Sequence, residues 1–119
     1  TNLLKVGHTA EFQGAIVQNI ITVTAKTHEV QKDDYTILGD TTQNSIDIIL
    51  PPACNHAGRV VVIKKINKAK YSLKTNPLNI IVNEGTIDFK EAETLKYNYS
   101  SRTAQSDGET WWFIGKSGS

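Results

Sequence analysis

The sequence predicts an all-β protein, and three observations carry that expectation. Eight Val, thirteen Ile and thirteen Thr make up more than a quarter of the 119 residues. Side chains branched at Cβ fit a pleated surface and lose rotamer freedom in a helix. No long window has helical periodicity; the nearest, Glu91 to Lys96, is too short to bury a stripe. Short alternating runs recur instead, punctuated by residues that favour turns.

In chain order, residues 1–26 read as an extended neck. The stretch LLKVGHTAEFQGAIV is a polar–apolar rhythm broken by Gly7 and Gly14. Its continuation, Ala15 to Thr24, has apolar residues on both faces: Ala15, Val17, Ile21 and Val23 on one, Ile16 and Ile20 on the other. That exceeds what one small sandwich needs, so burial against other copies of the chain is expected.

Residues 27–116 read as a head and 117–119 as a tail. Tyr35 to Leu38 predicts a short strand. Ile46, Ile48 and Leu50 predict another, which Pro51-Pro52 ends because proline has no N–H to give the ladder. Val60 to Ile66, apolar on both faces, predicts a central strand. Leu78, Ile80 and Val82 alternate with Asn79, Ile81 and Asn83, and Thr86 to Phe89 adds a short strand. Leu95, Tyr97 and Tyr99 share one face of the next. In the last, Trp111 and Phe113 oppose Trp112 and Ile114. Asn83-Glu84-Gly85 and Ser106-Asp107-Gly108 supply turns, the second closing a hairpin from Leu95 to Gly115. Strands spaced this closely predict a small antiparallel β-sandwich or barrel-like head.

Composition removes several function classes. Thirteen basic and twelve acidic residues give a net charge of +1, without the broad positive field of a general nucleic-acid or membrane-surface binder. A single cysteine excludes an internal disulfide and a CxxC zinc site. The longest aliphatic run, Val60 to Ile63, is far short of a membrane span. Neither an initiator Met nor a charged-then-apolar leader opens the chain, as expected of a fragment or a processed product. His8, His28 and His56 are scattered, and no HExxH, GxSxG or Gly-rich phosphate loop occurs. Cys54 and His56 read as a loop cysteine beside a solvated histidine. Adjacent Asp33 and Asp34 point to opposite faces of a strand and suit a turn or strand start. No enzyme activity and no cofactor are expected. The one metal route is a histidine, His8 or His28, repeated around a threefold axis.

The stretch DDYTILGDTTQNSIDIILPPACNHAGRVVVIKKI, from Asp33 to Ile66, followed by QSDGETW from Gln105 to Trp111, resembles a module common in phage tail fibres and other viral fibres. The order and spacing match along Asp33 to Gly115. The neck segment is similar to the L-x-V-x-G-x-A-x-F-x-G repeat of trimeric fibre shafts, departing from it at His8. The resemblance implies a homotrimeric fibre tip on the virion, in which a short shaft leads into a head that binds a host surface molecule, most plausibly a glycan. The alternative is a structural trimerisation or capping module with no receptor site of its own.

Candidate contact residues follow from two features. Arg59, Lys64, Lys65, Lys68, Lys70 and Lys74 form a run without an acidic residue. A basic hairpin there would meet sulfated, sialylated or phosphorylated glycans, or simply present solvated lysines that deter edge aggregation. Tyr71 is the one aromatic in the run, too few for nucleic-acid stacking. The aromatics Tyr97, Tyr99, Trp111 and Trp112 are concentrated near the C-terminus and offer faces on which sugar rings stack. Trp111 is expected in the core. Trp112, pointing the other way, is expected at the surface or at a subunit contact. The expected receptor-contacting set is Tyr97, Tyr99, Arg102, Trp112, Lys68 and Lys70. Asn98-Tyr99-Ser100 forms a glycosylation sequon that nothing else in the sequence supports.

Overall fold

The structure, a computed structural model, describes residues 3–69 and 75–118. Among them there is no helix, and nine strands form two sheets. The strands are β1 (Ile20–Val23), β2 (Thr27–Glu29), β3 (Thr36–Asp40), β4 (Ile46–Leu50), β5 (Val60–Ile66), β6 (Leu78–Val82), β7 (Ala92–Leu95), β8 (Ser101–Ser106) and β9 (Trp111–Ser117). One sheet has the order β1-β3-β5-β8-β9 and the other β2-β4-β6-β7.

From β1 to β6 the chain passes back and forth between the sheets, leaving one strand in each on every coil. β1, β3 and β5 therefore pair in parallel, as do β2, β4 and β6. A parallel pair needs a crossover connection, and here the intervening strand of the opposite sheet provides it. The direction reverses only afterwards: β7 pairs antiparallel with β6, β8 with β5, and β9 with β8.

The antiparallel head expected from the sequence is thus corrected to two mixed sheets. Alternation says which side chains face inward, but not which strand lies alongside or in which direction it runs. The expected hairpin from Leu95 to Gly115 is also shorter. β7 ends at Leu95 in the four-stranded sheet, while the hairpin is β8–β9, turning through Gly108 at a φ of 95°. Tyr97 and Tyr99 lie in the connecting loop rather than on one strand face. The strand expected over Thr86 to Phe89 contracts to bridges at Ile87. On the neck side of residue 26, β1 is part of the five-stranded sheet. Residues 3–19 belong to no strand and are exposed, Leu4 at 82% and Val17 at 95%.

The core is the shared interior of the two sheets. β4 contributes Ile46, Ile48 and Leu50, and β6 places Leu78, Ile80 and Val82 beside them in register. Ile37, Val61, Ile63 and Ala104 face them from the other sheet. Trp111, fully buried as expected, donates its indole N–H to the carbonyl of Pro51 at 2.8 Å. That bond ties the last hairpin to the proline pair that ends β4, and it satisfies the one polar atom the ring brings into the core.

Gly39 on β3 lets the sheets approach closely. A Cβ placed on it would collide with Cδ1 of Leu78 across the interior. The clashing atom is the end of a fully buried side chain, so Leu78 must turn within the packed interior to make room. Gly39→Ala is expected to lower stability by about 1–3 kcal/mol through overpacking. Urea denaturation checks this as a lower midpoint at an unchanged slope.

Candidate functional site

The sequence-predicted contact residues divide into two groups. Tyr97 and Tyr99 lie in the β7–β8 loop, 61% and 58% exposed. Tyr99 adopts a φ of 70°, and its hydroxyl donates to the carbonyl of Asn67 at 3.2 Å. The ring therefore leans on the segment after β5, where the backbone N–H of Lys68 donates to Thr42 Oγ1 at 2.9 Å. Tyr99 and Lys68 thus share one end of the molecule. Lys70 lies outside the described residues, as do Tyr71 and Lys74.

The second group is Arg102 and Trp112. Arg102 points into the space between the sheets and is 3% exposed. Its Nε donates to Glu93 Oε2 at 3.1 Å, and its Nη1 donates to the carbonyl of Ser101 at 2.9 Å. Such a side chain holds the β7 and β8 ends together. Trp112 stands on the opposite face of β9 from Trp111 and is half-buried.

Of the basic run, the described residues Arg59, Lys64, Lys65 and Lys68 lie on or beside β5 and do not form one exposed patch. Arg59 donates to the backbone carbonyls of Gln31 and Asp34. Lys65 faces the interior with no exposed surface and donates to Asn98 Oδ1, so it is not the solvated edge lysine expected. Burial holds its ammonium below the usual lysine range. What looked like one charge cluster is a clamp, a core residue and separate surface lysines.

The edge strands β7 and β9, one from each sheet, border a surface depression. A cleft of about 380 Å³ there is lined by Asp88, Lys90, Glu93, Arg102, Phe113, Ile114, Gly115 and Lys116. Its rim is a two-residue turn: Ile87 and Lys90 exchange backbone hydrogen bonds of 2.9 and 2.8 Å around Asp88 and Phe89. Both turn residues have positive φ, 51° and 60°. Asn-Gly is the relaxed choice for such a turn. A side chain in this left-handed region costs about 1–2 kcal/mol per residue, and an aromatic ring brings no local hydrogen bond to offset it.

Part of that cost is offset by Asp88, whose Oδ1 accepts the backbone N–H of Phe113 at 3.0 Å. The contact sits at a bulge where β9 shifts register against Thr103 and Ala104, turning Ile114 outward to 57% exposure. Phe89 gains only an edge-on contact with Trp112, with ring centroids 5.0 Å apart and planes at 81°. The Phe89 ring remains 76% exposed. Trp112 is oriented from its other side, its indole N–H donating to Asp107 Oδ2 at 2.8 Å. The ionic floor is continuous: Glu93 receives Arg102 through one oxygen and faces Lys90 Nζ at 3.6 Å through the other.

Sequence reasoning named Trp112 as a contact residue and did not name Phe89, Lys90 or Lys116 as one. Asp88-Phe89 has none of the residues that announce a left-handed turn, and its apolar Phe looked like a strand position. The histidines are accounted for separately. His28 Nε2 lies 2.9 Å from Asp34 Oδ2, which also accepts the N–H of Gln31 at 2.8 Å, so Asp34 serves as a turn residue. His8 lies in the exposed N-terminal segment. Among the described residues no three His, Cys, Asp or Glu side chains gather to hold a metal. No helix among them is long and apolar enough to cross a membrane. No protein-family model matches the chain, and no curated protein matches it in sequence.

Two predictions follow from the geometry of the cleft. Glu93→Ala leaves the Arg102 guanidinium without its carboxylate and is expected to cost about 3 kcal/mol. The double variant Glu93→Leu with Arg102→Met is expected to cost far less, because the charge to be compensated is gone; denaturant titration of both separates the cases. Asp107 is the second. The backbone N–H of Thr110, then the Trp112 indole and the N–H of Glu109, hold its carboxyl below the ordinary value of 3.8. A carboxylate more acidic when folded stabilises fully above that ordinary value, and the contribution is lost as pH falls through the lower folded value. The Trp112 indole N–H resonance is therefore expected to shift only below about pH 4, and Asp107→Asn to abolish that titration.

Proposed function

We propose that this chain is the head of a trimeric viral fibre, displayed on the virion, which attaches to carbohydrate on a host cell surface. The observation that carries the reading is the set of exposed aromatic side chains held on loops and edges. Phe89, Tyr97 and Tyr99 are all more than half exposed, where a purely structural cap would gain by being polar. Aromatic faces present sugar rings with an apolar surface, and neighbouring charges and backbone groups fix orientation. The mechanism breaks no bond. Weak single sites suffice when three act together, because the second contact is made at the high effective concentration set by the first.

A specific observation also favours the structural reading. Leu3, Leu4, Val6, Phe12, Ile16 and Val17 are exposed along a strandless segment, which in three copies could bury its apolar residues mutually. Trimerisation belongs to both readings and binding to only one.

Light scattering at micromolar concentration is expected to give three times the chain mass. The same sample is expected to bind host cells and a subset of a broad glycan array above a Phe89, Tyr97 and Tyr99 triple-alanine control. A trimer that binds neither leaves the capping reading; a monomer overturns the trimer.

A further inference from the structure

We infer that the outward face of the five-stranded sheet is covered by residues 3–19 of a second copy of the chain. This rests on the assembly that the attachment and capping readings share, and not on carbohydrate binding. It names the surface and the segment through which copies meet. It also differs from mutual burial of the N-terminal segments alone, because the cover of each segment is a neighbour's sheet.

Side chains alternate across a strand, so the residues between the buried ones face away from the core. The pairing register aligns them in rows. One row crosses all five strands as Ile20, Thr36, Val62, Thr103 and Gly115, with no charge in it. Val60 and Trp112 lie in the row on one side of it, and Leu38 in the row on the other. Among the outward strand positions of this sheet the charged residues are Lys64 and Asp40. The Asp40 carboxylate turns back to accept the N–H of Thr42 at 3.1 Å.

The other sheet treats its outward positions differently. Asn79 donates to Asp47 Oδ1 at 2.9 Å and accepts the Thr94 hydroxyl at 2.8 Å, a polar chain across three strands that suits water. A two-layer fold needs one apolar face per sheet. The five-stranded sheet has two, and strands apolar on both faces belong to a layer covered on both sides. A contiguous apolar face of this kind marks a contact surface.

The chain supplies the matching cover. Residues 3–19 include Lys5 and Glu11 as their only Lys, Arg, Asp or Glu, and Leu4, Phe12, Ile16 and Val17 are each more than half exposed. The segment enters this sheet at β1, whose Ile20 opens the apolar row and is itself 58% exposed. Segment and face are therefore continuous, and neither has many charges to desolvate. The segment does not cover its own sheet, since its apolar side chains stay in solvent, so the cover is the same segment from a neighbour. Its length suffices. At about 3.3 Å per residue it extends about 55 Å, while five strands about 4.8 Å apart are roughly 20 Å across. It can leave one copy and still cross the sheet of the next.

The test uses the full chain. Light scattering over a concentration series is expected to show association, weakened at least tenfold by Val62→Glu on the face and by Phe12→Ser with Ile16→Ser on the segment. Both variants are expected to keep the parent's circular-dichroism spectrum. Val62 lies on a central strand, so Thr22→Glu, on the exposed edge strand of the same face, decides the matter if Val62→Glu does not fold. Thr94→Glu, on the polar outward face of the other sheet, is expected to leave association unchanged. Location is read by cross-linking. Unlabelled chains carrying benzoylphenylalanine in place of Thr103 are mixed with ¹⁵N-labelled chains, and mass spectrometry is expected to find position 103 joined to residues 3–19 of the labelled copy. Cross-links confined to one chain, or joining face to face, overturn the inference, as does association that only the segment variant weakens or that no variant weakens. Each of those outcomes leaves an oligomer, and with it the trimer reading, in place. A monomer at every concentration overturns both.

Discussion

In the four-stranded sheet Ile46 stands beside Leu78, Ile48 beside Ile80 and Leu50 beside Val82, and these rows close the interior from one side. Each side chain is removed from water, an effect of about 1.5–3 kcal/mol per residue. The arrangement requires β4 and β6 to run in the same direction at one register, since a slip of one residue in either strand would turn its three side chains outward. The alternating path between the sheets is what delivers that register. The close approach at Gly39 and the seating of Trp111 against Pro51 both depend on it.

At one end of the interior the apolar layer gives way to charge. Lys65 is Cα partner to Gly39, and Arg102 to Ile63, on inward positions that pattern alone would fill with aliphatics. Each reaches a partner across or beyond the sheets: Asn98 for Lys65, Glu93 for Arg102. Buried charge of this kind adds little stability beyond a well-packed apolar pair, yet it penalises any arrangement that separates the partners. The polar end also lies where the two sheets part between β7 and β9, and that opening is the cleft. One feature therefore both orders the strand ends and shapes the cleft.

Much of the fold was legible in the sequence where period-two alternation coincided with full burial. β4, β5 and β6 lie where their Ile, Leu and Val runs placed them, and Trp111 is in the core. Legibility failed where local pattern and tertiary role diverge. Ala15 to Thr24 reads as one long strand, but only Ile20–Val23 finds a neighbour to pair with. Leu95, Tyr97 and Tyr99 alternate like a strand, but the chain must leave the four-stranded sheet after Leu95 to enter the other. Arg59, Lys64, Lys65 and Lys68 look like one patch in sequence, but Lys65 turns inward and Arg59 is spent on the carbonyls of Gln31 and Asp34. Trp112 was singled out from its opposition to Trp111, and it does stand on the other face of β9. Phe89 was not, because nothing in Asp-Phe-Lys signals a left-handed turn.

The all-β class, the inward faces of the central strands and the exposed apolar side chains of the N-terminal segment could be read from the chain before any fold was known. These follow from side-chain shape and from alternation within a strand, which are local properties. Long-range pairing is what made β1, β3 and β5 parallel in one sheet and β2, β4 and β6 parallel in the other, put Lys65 and Arg102 in the interior, and brought Lys90 and Lys116 to the same cleft. Those facts depend on which strands become neighbours, and that choice is made by the joint burial of residues far apart in the chain.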